Sequence, residues 1–242
     1  MRVALQPAYI LHSRPYRDTS LLLEVFTAEH GRISLVGKGA RRRSRGGSNA
    51  ALLQPFSPLL VSFSGRSELK NLTQVESAGS ALVLRGERLF SGMYVNELLV
   101  KLLHRHDPHP ALFAAYGTAL ADLAESAEVD PVLRRFELTL LDDLGYGFSL
   151  DAEGHTGELL EEEGWYHYDP ELGLVTSNGT DPARPAYLGR DLLRMSAGEF
   201  DGDTRACAKR LMREALGVQL GDTALKSREL FRAQRNGLGG AS

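Results

Sequence analysis

Five basic side chains fall within eight positions of this chain: Lys38, Arg41, Arg42, Arg43 and Arg45. They sit in "VGKGARRRSRGGSNAALLQPF", with glycines on both sides and no acid between them. Cations on a Gly-rich loop can follow a phosphate backbone without a fixed geometry. Arginine adds bidentate phosphate contacts and stacking on unpaired bases. The competing reading is a solvated loop that only aids solubility. "VGKGA" is a poor nucleotide-binding loop, because it lacks the GxxxxGK[ST] spacing and no helical pattern follows.

Other chemistry is sparse. His104, His106, Asp107 and His109 cluster in "HRHDPH", but beside Pro108 and Pro110 they read as a surface turn rather than a metal site. "EEEGW" (Glu161–Glu163) reads as a solvated turn. Ser196 and Ser227 lack the turn context of a nucleophile. One cysteine, Cys207, excludes an internal disulfide and a multi-cysteine zinc site. No compact catalytic cluster is apparent, and although an acidic pair for sugar chemistry stays open, nothing positions one; no cofactor is expected.

The charge is partitioned. Net charge over all 242 residues is -3. Residues 1–85 hold 12 Lys/Arg against 5 Asp/Glu, 86–203 hold 8 against 23, and 204–242 hold 8 against 3. The two ends are basic and the middle is acidic. No run of 18 apolar residues exists, and the N-terminus has no apolar signal core. A cytoplasmic protein that does not cross a membrane is expected.

The elements that must present these residues differ along the chain. Residues 1–80 read as five short strands separated by Gly-rich turns: "AYILHSRPY", "TSLLLEVFT", "GRISLVGKG", "PLLVSFSG" and "LKNLTQVESA". That pattern predicts a small closed barrel with antiparallel order. Gly31 suits positive φ in a tight hairpin. Helical spacing begins beyond Leu82. Leu89, Met93, Leu98 and Leu102 mark a first helix, Pro110 opens a second, and Asp130 with Pro131 opens a third that ends near Gly145. Residues 149–182 are acidic, Gly-rich and aromatic, as in an inserted module. A short helix over "AYLGRDLLRMSAGEF", a long helix ending near Gly217 and a basic segment "LKSRELFRAQ" follow.

Two arginine pairs border apolar residues. Arg134 and Arg135 flank Leu133, Phe136 and Leu140, and Arg190 and Arg194 flank Leu192 and Leu193. Arginines rimming a core are the plain reading; a groove for an acidic, hydrophobic peptide end is the sharper one.

Five segments in this order and spacing resemble the bacterial recombination and repair family RecO over the whole chain: "AYILHSRPYRDTSLLLEVFTAEHGRISLVGKGARR", "LLQPFSPL", "GMYVNELLVKLL", "LRRFELTLLDDLGYG" and "LKSRELFR". The resemblance implies an α+β chain: an N-terminal OB-fold β-barrel (1–80), a helical domain in two parts (81–147 and 183–242, the latter with a flexible tail) and a small zinc-finger-like subdomain (148–182). Many relatives carry four cysteines in that subdomain. Residues 148–182 here hold none, so it is expected to persist without metal around Trp165, Tyr166 and Tyr168.

It implies a non-catalytic mediator, not an enzyme, that binds single- and double-stranded DNA and anneals complementary strands. With RecR and, at gaps, RecF, it helps load RecA onto DNA coated by single-strand-binding protein, whose acidic C-terminal tail it contacts. Its setting is cytoplasmic and nucleoid-associated. The resemblance places DNA contacts at Lys38, Arg41, Arg42, Arg43 and Arg45, joined by Arg14 and Arg17 of the first hairpin. It places the partner tail at Arg134 and Arg135, with Arg190 and Arg194. An RNA-binding barrel protein and a protein-interaction scaffold without nucleic-acid function are the alternatives.

Overall fold

The computed structural model describes residues 1–42, 49–126, 128–177, 184–227 and 229. The chain forms two compact units, Met1–Ser126 with Leu225–Ser242, and Ala127–Ala224.

The first unit is built on five strands: β1 (Arg2–Tyr16), β2 (Ser20–Thr27), β3 (Gly31–Gly37), β4 (Leu59–Ser64) and β5 (Leu69–Ser77). They close into a barrel in the order β1-β2-β3-β5-β4. Alternating side chains fill it: Ile10, Leu23, Val25, Ile33, Leu35, Val61 and Phe63 are fully buried. The expected antiparallel order holds for every pair but one. β3 and β5 run parallel, Ser34 opposite Leu69 and Val36 opposite Asn71. The β4–β5 hairpin supplies the reversal that a crossover helix would otherwise provide. At the β2–β3 turn Gly31 has φ +61°, and an added Cβ would lie 1.9 Å from the Asp107 carbonyl. That close approach and that dihedral both require glycine. Thr27 Oγ1 closes the turn by donating to the Gly31 carbonyl (2.9 Å).

Two helices belong to this unit: α1 (Glu87–Leu102) and α2 (Pro110–Glu125), with Pro110 at its start as expected. The buried face of α1 carries Tyr94, Val95, Leu98 and Leu99; Met93, expected on that face, is exposed. A β-bulge in β1 between Ile10 and His12 leaves the Leu11 carbonyl outside the ladder. Asn96 Nδ2 donates to it (2.9 Å), and the fully buried Tyr116 hydroxyl of α2 donates to Asn96 Oδ1 (2.6 Å). One polar chain thus joins a strand and two helices. Around it Tyr9 packs on Tyr116 and Phe113 at ring distances of 5.0 and 5.4 Å. The chain's last segment returns to this unit. The Glu97 carboxylate accepts the Lys226 and Ser227 amides (2.9 and 2.8 Å). Desolvation raises the Glu97 pKa, but the Ser227 and Lys226 donors with Lys101 bring it below the ordinary value.

The second unit packs α3 (Val129–Asp143), α4 (Gly189–Ser196) and α5 (Gly202–Leu220) beside a three-stranded sheet of β6 (Trp165–Asp169), β7 (Gly173–Thr176) and β8 (Tyr187–Leu188). α3 starts before the expected Asp130 N-cap, with Glu128 flanking it and Asp130 inside the first turn. Gly145 ends it at φ +81°. α5 runs past Gly217 to Leu220, with Gly221 as its stop. Its Ala208, Leu211, Met212, Ala215 and Leu216 are fully buried, and Cys207 joins them. Burial pushes the Cys207 thiol up to about 12, so it is an inert apolar side chain.

The small sheet corrects one expectation. Tyr166 and Tyr168 are buried, but Trp165 at the strand's start is 51% exposed. Within the module Tyr168 packs on part-buried Phe148, with ring centroids 4.9 Å apart, and Leu160, Leu174 and Val175 are buried as well. Its loops are tied by carboxylates. Buried Glu153 accepts the amides of His155 and Thr156 (both 2.8 Å) and of Thr176 (3.2 Å). Asp169 accepts those of Glu171 and Leu172. Among the described residues no group of three or more His, Cys, Asp or Glu side chains is placed to hold a metal, so a zinc-finger-like character for this module has no support from a ligand set.

Candidate nucleic-acid interface

The β1–β2 turn and the exit of β3 lie at one end of the barrel, because β2 pairs Leu21 with Gly37 while β1 pairs Tyr16 with Ser20. The two turns are stitched together. The Arg41 amide donates to the Thr19 carbonyl (3.0 Å), and the Arg41 guanidinium reaches the Asp18 carbonyl (3.5 Å). Gly39, at φ +66°, bends the chain so that the Arg42 amide meets the Gly39 carbonyl (2.9 Å). Ala40 drops into the barrel core and seats the loop. Arg17 also takes a left-handed backbone, φ +53°, which lays its guanidinium 5.2 Å from the Tyr16 ring centroid.

These turns enclose an open hollow of about 370 Å³, lined by Tyr16, Arg17, Thr19, Ser20, Val36, Lys38, Gly39 and Arg42. Arg14, Arg17, Lys38, Arg41 and Arg42 are all exposed. None of the five forms an ion pair with another described residue. Asp18 is the one acid on these two turns. Arg43 and Arg45 lie outside the described residues. Sequence reasoning found the cations but missed Tyr16; its signal is an aromatic at a strand end between Arg14 and Arg17.

The unit carrying this end is basic overall, with 19 Lys/Arg against 11 Asp/Glu and a net charge of +8. The second unit has 9 against 20 and a net charge of -11. A polyanion is therefore attracted by one unit and repelled by the other.

The other four arginines lie on the second unit. Arg134 is 6% exposed, and its guanidinium pairs with fully buried Glu137 at 2.8 Å, one turn on along α3. Arg135 is exposed. Its carbonyl accepts the Thr139 hydroxyl. Thr139 in turn lines a second hollow, of about 440 Å³, with Leu138, Leu141, Phe148, Leu150 and the acids Asp142 and Asp151. Arg190 pairs with Glu163, and Arg194 with Glu199 and Asp201. None of the four arginines lines the second hollow. His104, Arg105, His106 and Asp107 form an exposed turn, with His109 Nε2 3.6 Å from Asp107 Oδ2. No helix among the described residues is long and apolar enough to cross a membrane.

Comparison with known proteins covers both halves of the chain. The family "Recombination protein O N terminal" matches residues 1–81, and "Recombination protein O C terminal" matches 84–229. The DNA repair protein RecO of Methylococcus capsulatus is 49% identical over 233 residues, 96% of this chain and 94% of that protein. RecO of Nitrosococcus oceani is 46% identical over 97% of this chain and 95% of its own, and RecO of Pseudoalteromonas atlantica 44% over 93% and 92%. With a basic barrel end in its first unit and near half identity to such relatives from end to end, the chain belongs to the RecO family.

Proposed function

We propose that the end of the barrel formed by the β1–β2 turn and the β3 exit is where this DNA-binding recombination mediator holds its DNA. The observation that carries the reading is the meeting of two chain segments: Arg17, Lys38 and Arg42 line one hollow, Arg14 and Arg41 are exposed on the same strand ends, and among the described residues none of the five has an acid partner. Arg43 and Arg45 extend the same loop in sequence. Phosphate charge neutralised there lowers the repulsion between two strands and lets complementary bases pair. The work is non-covalent, and both single strands and duplex are bound through the backbone.

Partner use follows the family. The chain works with RecR and, at gaps, RecF to place RecA on DNA coated by single-strand-binding protein, in the cytoplasm and at the nucleoid. For the acidic tail of the single-strand-binding protein, α3 is the favoured surface. Arg135 is the exposed cation of that helix, one turn before Thr139, which lines the mixed polar and apolar hollow with Leu138, Leu141 and Phe148. Asp142 and Asp151, which also line the hollow, repel a tail carboxylate, so only an apolar end of the tail enters while its charge stays with the arginine. Arg134 supports α3 from inside, while Arg190 and Arg194 would have to exchange their present acids to take part. Residues 148–182 take the place of the relatives' zinc-finger-like subdomain, with the Glu153 and Asp169 amide ties doing the holding.

The test is annealing of complementary strands coated with single-strand-binding protein, with and without its tail. The full chain speeds annealing of the tailed complex. A Lys38→Glu, Arg41→Glu, Arg42→Glu variant loses DNA binding, and Arg135→Ala loses only the dependence on the tail. Equal annealing by all three proteins refutes both assignments.

A further inference from the structure

We infer that Tyr16 stacks an unpaired nucleobase in the barrel-end hollow, which makes this site selective for single strands. The inference rests on the reading of that end as the DNA surface and adds what the cations alone do not supply. Phosphate contacts hold single strands and duplex alike, because both expose the same backbone. Discrimination needs a group that meets only an unpaired base, and a base inside a duplex has both faces covered by its neighbours.

Tyr16 meets that need. It is the last residue of β1, only part-buried, and it lines the hollow beside Thr19 and Ser20. Its ring carries the Arg17 guanidinium at 5.2 Å, so one face is already occupied by a flat, cationic π-partner. A nucleobase is a flat π-partner of larger area. Arg17 holds its position from a left-handed backbone at φ +53°, a conformation that persists only where its surroundings support it. When a base takes the ring, the guanidinium is displaced to the rim, where Lys38 and Arg42 already stand. Arginine, tyrosine and base thereby exchange partners: the cation moves from ring to phosphate. At about 370 Å³ the hollow is near the lower end of ligand pockets, roughly 300–1,000 Å³, which suits one nucleotide and not a base pair. Thr19 and Ser20 add hydroxyls at the base's edge.

The experiment uses the full chain and three probes of equal length: an oligo-dT strand, the same strand with abasic sites, and a duplex. Tyr16→Ala is expected to weaken oligo-dT binding by about 5- to 150-fold, the range for losing one aromatic–base stack. Abasic strand and duplex binding stay within twofold, and Tyr16→Phe behaves as the parent. Tyr16→Leu keeps apolar bulk without an aromatic face, and should follow the alanine variant on oligo-dT while melting like the parent. Equal losses on all three probes, or no loss on any, overturn the stacking role. A Lys38→Ala, Arg41→Ala, Arg42→Ala variant separates the two readings, because it should lose affinity for all three probes. If it binds them all normally, the DNA-surface reading fails; if it loses them all while Tyr16→Ala loses none, only the stacking fails.

Discussion

Removing Lys38, Arg41 and Arg42 together should change the salt dependence of DNA binding by an amount that can be worked in advance. All three side chains are exposed and, among the described residues, lack acid partners, so their substitution by alanine removes the proposed phosphate contacts without leaving a buried charge. Each neutralised phosphate contributes about 0.7 to the slope of log affinity against log salt on a single strand, so three contribute about 2.1. Between 50 and 200 mM salt that difference makes the parent's advantage over the variant shrink by about 20-fold, and by about 40-fold on duplex, where each contact contributes about 0.9. The assay is fluorescence anisotropy of labelled strand and duplex across that range, with thermal melts of both proteins. Ala40 seats the loop and is untouched, so the melting temperatures should agree. Parallel salt slopes for parent and variant would falsify the placement of phosphate at this end, whatever the absolute affinities.

Asn96→Ala removes the donor to the Leu11 carbonyl and the acceptor of the Tyr116 hydroxyl in the core of the first unit, and should cost about 1–3 kcal/mol, or roughly 2–12 °C of melting temperature; an unshifted melt would show that the link contributes nothing. Arg134→Ala removes the charged hydrogen bond to buried Glu137 and should cost about 1.5–3 kcal/mol, whereas Arg134→Met with Glu137→Met should recover most of it. Urea titration of the single and double variants checks this, and an Arg134→Ala protein of parental stability contradicts it. Glu153 has its pKa lowered, first by the Thr156 amide and then by those of Thr176 and His155, against a desolvation that raises it. The stability it lends is therefore complete above the ordinary 4.5 and is lost as pH falls through the lower folded value. Amide exchange at His155, Thr156 and Thr176 should quicken over that acid range in the parent; in Glu153→Gln it should be fast already at neutral pH, and parental protection there would refute the tie.

The barrel was legible because β-branched runs broken by Gly-rich turns announce strands, and because Gly31 needs the dihedral that the turn requires. Its parallel β3–β5 seam was not, since local pattern fixes strand existence and not which edges meet. The basic loop could be read from side-chain type alone, since exposed charge needs no partner to be recognised. Arg134 and Arg135 could not be told apart in the same way. They are neighbours in sequence, and only the helix phase against α5 and Glu137 turns one inward and the other out. Asn96 was invisible for a similar reason. Its value depends on a carbonyl freed by a bulge in a strand 85 positions away. Trp165 misled because large aromatics usually find cores, whereas the strand's alternation gave the inside to Tyr166 and Tyr168.

The return of Leu225 and Ser227 to the first unit, clasped by Glu97, has a consequence for synthesis. The second unit is an insertion: its residues 127–224 are all made before the first unit has its final strip. Domains commonly complete in the order of translation. Here the unit that starts first closes last, and its Glu97 clasp forms only after residues 127–224 have been made. A nascent chain stalled before residue 225 would therefore carry a complete acidic unit on an unfinished basic one.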